Sequence, residues 1–132
     1  MEDVLPPYVW KKALMIGDRH EMALKIAVAS GVKIAMGTDI CVSGPGSGTN
    51  SLEVKHLIDA GLTPLEAIEA ATATGPLTLG PQAPKSGQLK EGYDADVIAF
   101  DVNPIDDMSV WGDPDRVTHV WKAGKAVKAP VA

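Results

Sequence analysis

Apolar residues recur along this chain at two different periods, and the change between them divides it near residue 87. Before that point the spacing is helical. Met22, Ala23, Ile26, Ala27 and Ala29 fall on one stripe, opened by the capping box Asp18-x-x-Glu21 and closed by Gly31 as a C′ residue. A shorter helix is predicted over residues 9–16, after a lead-in in which Pro6 and Pro7 oppose helix. Residues 32–36 then form a short apolar run, which predicts a strand buried on both faces.

A loop follows from Cys41 to Asn50, rich in Gly, Ser and Pro and without periodicity. Two helices are predicted after it. Asn50-x-x-Glu53 caps the first, Val54, Leu57 and Ile58 face inward, and Gly61 stops it. Thr63-Pro64-x-Glu66 caps the second, with Leu65, Ile68 and Ala71 as its apolar stripe and Gly75-Pro76 marking its end.

From residue 87 the period is two. Residues 87–92 read as turn, strand and turn, and 95–101 as a strongly apolar strand. Residues 117–121 pair with 125–128 through an Ala123-Gly124 turn. The late strands, joined by short turns, suit an antiparallel layer of their own. The strand over 32–36 has no parallel neighbour before residue 80. An unpaired buried backbone group costs about 1–3 kcal/mol, so the early part reads as the tail of a larger barrel or sheet.

Length and composition narrow the classes. A chain of 132 residues with 45% hydrophobic content makes one domain at most, with enough apolar surface for a core. The net charge of −5 and scattered basic residues exclude a nucleic-acid or acidic-membrane footprint. The single Cys41 excludes an internal disulfide framework and a CxxC zinc site. No transmembrane run and no signal peptide is present, which makes the cytoplasm the default location and a membrane partner unexpected.

The candidate chemistry centres on Asp39. The apolar run ends at Gly37-Thr38-Asp39, where a buried parallel strand would deliver a carboxylate to the carboxyl edge of a sheet. The same Asp would serve equally as an Asx turn or helix cap. Thr49 and Asn50 suit helix capping, with substrate contact as the other option. Gly44-x-Gly46-x-Gly48 invites a phosphate, yet it fits neither the dinucleotide fingerprint nor the P-loop. Cys41 has no histidine near it in sequence. His20, His56 and His119 lack HxH or HExxH spacing and read as surface or packing residues. His119 shares a strand face with Trp121. Asp94 and Asp96 flank Ala95 at a strand entrance and are candidates as paired carboxylates.

Three motifs, in order, carry a resemblance. They are the helix leading to Gly31-Val-Lys-Ile-Ala-Met-Gly-Thr-Asp39, the segment Ala60-Gly-Leu-Thr-Pro-Leu-Glu-Ala-Ile-Glu-Ala-Ala-Thr72, and Gly87-Gln-Leu-Lys-Glu-Gly-Tyr-Asp-Ala-Asp-Val-Ile-Ala-Phe-Asp101. Together with Val117-Thr-His-Val-Trp-Lys-Ala-Gly-Lys125, they resemble the carboxyl-terminal third of the metal-dependent amidohydrolases, in the imidazolonepropionase-like and prolidase-like branch. The stretch from Gly80 to Asp101 is also similar to fungal amidases of that branch.

The resemblance implies an α/β fold: the C-terminal part of a (β/α)8 TIM-type barrel plus strands of a small β-sandwich. Residues 1–86 would be the last β/α unit or units, and 87–132 the sandwich strands. It implies one or two divalent metals, commonly zinc, and hydrolysis of a C–N bond in a small amide or peptide-like substrate by metal-bound hydroxide. Asp39 would be metal ligand and general base. The family's HxH pair, carbamylated lysine and two further histidines match nothing in this chain. The implied partner is therefore a second copy or the missing barrel half. The competing readings are a catalytically incomplete fragment or docking subunit, and a nucleotide-binding module.

Overall fold

The computed structural model describes residues 6–39 and 49–130. The chain separates into two compact units, Met1–Lys33 and Ile34–Ala132.

The first unit holds one long helix, α1 (Pro7–Ala29), where the pattern predicted a short helix and then a second one capped at Asp18. Gly17 costs about 1 kcal/mol in a helix interior but removes no backbone donor, so the ladder runs through it. The helix starts after Pro6, not at Asp18, and Glu21 accepts from Lys25 one turn on. Its carboxyl is held below the usual carboxylate range by that hydrogen bond and by the lysine's charge. The carboxyl end is as expected. The Val32 amide bonds the Ala27 carbonyl at 3.0 Å and the Gly31 amide bonds that of Val28 at 3.0 Å, a Schellman closure with Gly31 at φ 71°. Met22 and Ile26, on the predicted apolar stripe, are 58% and 59% exposed.

In the second unit, residues 34–39 form neither helix nor strand. A strand exists through its partners, and none of the three strands among the described residues lies beside this segment. Its anchor is the Met36 amide, bonded to the Ala70 carbonyl at 2.9 Å. Ile34, Ala35 and Met36 are partly buried, not enclosed on both faces as the apolar run predicted.

Helix α2 (Leu52–Asp59) starts at Ser51, not at Asn50. The backbone already turns tightly there, Leu52 bonding to the Thr49 carbonyl and Glu53 to that of Asn50, so no Asn50–Glu53 box forms. Gly61 ends α2 with the same Schellman closure, through Leu62 to Leu57. Helix α3 (Pro64–Ala71) opens as predicted. The Glu66 amide donates to the Thr63 hydroxyl, and the Thr63 amide donates to the Glu66 carboxylate at 2.8 Å. Its buried face is Ala67 and Ala70, however, while Leu65 is 65% exposed. Small residues are chosen where two helices approach closely, and Ala60, Ala67 and Ala70 are buried where α2 and α3 pack. Helix α3 stops at Ala71, and Gly75-Pro76 lies inside a further turn, α4 (Thr74–Leu77), instead of ending α3.

The strands are β1 (Val97–Phe100), β2 (Val117–Lys122) and β3 (Lys125–Lys128), antiparallel in that order. Ala123 and Gly124 both have positive φ, 48° and 75°, as a two-residue type I′ hairpin requires. Residues 88–90, predicted as a strand, form turns through Lys90 to Gln88 and Tyr93 to Lys90, and Leu89 is exposed.

The core of this unit lies between α2, α3 and a segment to which the hydrophobic pattern assigned nothing. Val54 and Val110 are 1% exposed, Leu57 2% and Ala67 0%, with Trp111 also buried. Trp111 meets Phe100 edge-on at 5.2 Å and donates its indole N–H to the Pro104 carbonyl at 3.2 Å. Asp107 and Asp113 accept from the amides of Ser109 and Asp115, starting two short 3₁₀ turns, 108–110 and 114–116, around the buried Val110-Trp111 pair. Arg116 bonds both carboxylate oxygens of Asp101, tying this segment to the end of β1.

Candidate functional site

Asp39 ends the segment 34–39 at φ 50°, in the left-handed region that Asp tolerates better than most residues. It is exposed, and its side chain has no hydrogen-bond or ion-pair partner among the described residues.

Beside it lies an open hollow of about 170 Å³, lined by Thr38, Thr49, Asn50, Leu52, Glu53 and His56. Thr38 comes from the segment 34–39 and the rest from the entry and first turns of α2. The Schellman-closed α2 is held over α3 by Val54 and Leu57, which point inward from the same turns that send Glu53 and His56 into the hollow. Periodicity makes that separation. Glu53 and His56 are three apart, and so share a face distinct from that of Val54 and Leu57.

Among the other residues singled out in the sequence, Cys41, Gly44, Gly46 and Gly48 lie outside the described residues. His20 is exposed on α1. His119 stacks on Trp121, with ring centroids 5.1 Å apart and planes 3° from parallel, on the shared strand face that alternation predicted. Asp96 serves the hairpin, accepting from the Ala123 amide at 2.7 Å and from Lys122. The Ala123 amide and then Lys122 hold the Asp96 carboxyl below the usual carboxylate range, and Asp96 in turn raises the Lys122 ammonium. The Asp94 amide bonds the Lys85 carbonyl. The structure therefore joins Thr38, Asn50, Glu53 and His56 at one hollow next to Asp39 and leaves His119, Asp94 and Asp96 with the sheet. The sequence pattern assigns Glu53 only to a helix cap and His56 only to a surface or packing role. Their i, i+3 spacing was the available signal.

The donors present do not make a metal centre. Among the described residues no three His, Cys, Asp or Glu side chains lie close enough to hold an ion. A single exposed carboxylate is short of the three or four ligands that zinc takes from a protein. No described helix is long and apolar enough to cross a membrane.

Comparison with known proteins accounts for this geometry. The model of the amidohydrolase family matches residues 10–127. Ochratoxinase from Aspergillus niger is 50% identical over 122 residues, covering 92% of this chain and 25% of that enzyme. Its crystal structure superimposes with a TM-score of 0.78 at 48% identity, over 96% of this chain and 28% of that one. An imidazolonepropionase from Pseudoalteromonas atlantica is 32% identical over 98 residues, 71% of this chain and 23% of its own. A Xaa-Pro dipeptidase solved with methionine in its active site matches with a TM-score of 0.80 at 32% identity, over 98% of this chain and 30% of that one. The chain thus spans about a quarter of the length of its curated relatives. Their fold is of the TIM-barrel type, and the helices with a small antiparallel sheet seen here correspond to part of it. By sequence and by structure alike, this chain belongs to the amidohydrolase family.

Proposed function

We propose that this chain supplies part of an amide-hydrolysing site, with Asp39 as the residue that acts on the scissile C–N bond of a small amide or peptide-like substrate. Residues 1–86 are the last β/α unit or units of the barrel in this reading, and 87–132 contribute strands of the β-sandwich. The observation that carries it is Asp39 itself, an exposed carboxylate without a partner among the described residues, next in the chain to Thr38, which lines a hollow with Glu53 and His56. Relatives that hydrolyse ochratoxin or Xaa-Pro dipeptides support an amide or peptide-like substrate.

An ionised carboxylate in that position accepts the proton of an attacking water and returns it to the departing amine, work worth about 10²- to 10⁴-fold in rate. Amidohydrolases generally use a divalent metal, commonly zinc, and Asp39 is our candidate for one of its ligands. The remaining ligands are not among the described residues, and in this reading the metal would be completed by the missing barrel half or by a second copy.

The same shortage of donors favours a second reading, in which the chain alone is inactive and works only when docked. Metal content of the purified chain, by plasma mass spectrometry with Asp39→Ala alongside, separates the two. Near-stoichiometric zinc that the mutant loses supports a site completed across copies. Absence of zinc in both supports the docking reading. Normal turnover by Asp39→Asn, tested wherever a complete active site is assembled, would overturn the role of Asp39 in either case.

A further inference from the structure

We infer that the hollow beside Asp39 is a subsite for a small ammonium-bearing group of the substrate, with Glu53 as the specificity-determining residue. This deepens the amide-hydrolysis reading and rests on it for the position of the scissile bond.

The lining of the hollow selects the ligand's charge. Glu53 offers an anionic acceptor, Asn50 a carbonyl oxygen and Thr38 a hydroxyl oxygen, while neither lysine nor arginine lines the walls. An anion would meet no lysine or arginine there and would face the Glu53 carboxylate. A neutral amide would leave that carboxylate without a charged partner. A primary ammonium, with three donors and no acceptor, matches the set, and a bond from an ammonium to a carboxylate is the strong, charge-assisted kind. Leu52 supplies the one large apolar surface, suited to the carbon that bears the nitrogen.

Glu53 is also poised to accept such a group. It is partly buried, and its side chain has no hydrogen-bond or ion-pair partner among the described residues. No described side-chain polar atom is both fully buried and unpaired, so its oxygens remain reachable from solvent. A first-turn carboxylate is favoured by the helix dipole alone. That effect does not require the side chain to share a walled hollow with Asn50, His56 and Thr38. The space, about 170 Å³, admits an ammonium and a few carbons but no large ring system.

The test uses the 132-residue chain and no turnover. Glycinamide, a primary ammonium with a carboxamide, is titrated at low salt while the amide and His56 imidazole resonances are followed by NMR. Acetamide, which lacks the ammonium, is the control. Saturable shifts confined to Thr38, Asn50, Glu53 and His56 are expected with glycinamide and not with acetamide. Glu53→Gln should weaken the binding about tenfold, and Leu65→Ala, at an exposed side chain that does not line the hollow, should leave it in place. Equal responses to the two probes overturn the subsite on the unaltered chain, whatever the variants do. Glycinamide shifts that persist in Glu53→Gln overturn the role of Glu53. Either failure leaves the role of Asp39 in hydrolysis standing, and loss of that role would leave the ammonium site intact.

Discussion

The Ser51 hydroxyl accepts a hydrogen bond from the Gly112 amide at 2.8 Å, joining the start of α2 to the Val110-Trp111 segment across most of the second unit. Gly112 sits at φ 91°, and a Cβ added to it would lie 2.4 Å from the Leu52 side chain. Two independent penalties therefore meet at one position, a backbone conformation that L residues rarely adopt and a steric overlap. Gly112→Ala should lower stability by about 1–3 kcal/mol. Urea denaturation of the variant, followed by tryptophan fluorescence, measures this directly, and an unchanged midpoint would refute the close approach.

The capping box at Thr63 and Glu66 is fully formed, and the two hydrogen bonds from Thr63 hold the Glu66 carboxyl below its usual range. Thr63→Ala removes the acceptor for the Glu66 amide and should cost about 1 kcal/mol. Asn50→Ala is the matched control, since Asn50 makes no cap, and should change thermal stability much less.

Leu57 and Leu65 lie on consecutive helices with similar sequence surroundings but opposite environments, 2% and 65% exposed. Leu57→Ala should cost about 2–5 kcal/mol through lost burial and a residual cavity. Leu65→Ala should stay within about 0.5 kcal/mol. Equal losses would mean that α3 presents the face predicted from the sequence.

Acid should destabilise the hairpin. The Asp96 carboxyl is lowered in the fold, first by the Ala123 amide and then by Lys122. A group lowered in this way contributes stability above its unfolded value, near 3.9 for Asp, and loses it as the pH falls through the still lower folded value. Glu66 has the same sign. The Lys122 ammonium is raised, chiefly by its bond to Asp96, and so acts oppositely. Its contribution is complete below an unfolded value near 10.4 and disappears as the pH rises through the folded one. Urea midpoints should fall below about pH 4, and Asp96→Asn should flatten that fall.

The His119 tautomer is set by its neighbour. Thr118 has one hydroxyl proton, which goes to the Ala99 carbonyl at 3.2 Å because a carbonyl can only accept. The Thr118 oxygen must then accept from His119 Nδ1, 3.0 Å away, which places the neutral imidazole's proton on Nδ1. Nitrogen chemical shifts of the ring distinguish the two tautomers. A proton found on Nε2, or Thr118→Val leaving the tautomer ratio unchanged, would contradict this arrangement.

Local chemistry was legible in the residues because it is written in adjacent positions. Gly31 and Gly61 ended their helices, Thr63 to Glu66 formed its box, and Ala123-Gly124 turned the hairpin, since each needs only a conformation or a partner within a few residues. Asn50 and Asp18 carried the same cap signature, yet no helix starts at either. At Asn50 the chain turns one residue later, where Ser51 can reach Gly112. At Asp18 the α1 backbone ladder continues through Gly17, so no boundary forms there.

The helix ends at Gly31 and Gly61, the hairpin with its shared His119–Trp121 face and the family motifs could be read from the residues alone. Only the tertiary structure decided that residues 34–39 would join no sheet, because a strand is defined by a neighbour that no local pattern contains. The fold likewise decided that α3 would bury Ala67 and Ala70 and leave Leu65 outside, since helix separation, not hydrophobicity, selects a small-residue face. It also drew Val110 and Trp111 into the core from a stretch of Asx turns with no periodicity. Glu53 and His56 reached the hollow by the same route, once α2 had turned Val54 and Leu57 inward and left its other face toward Thr38.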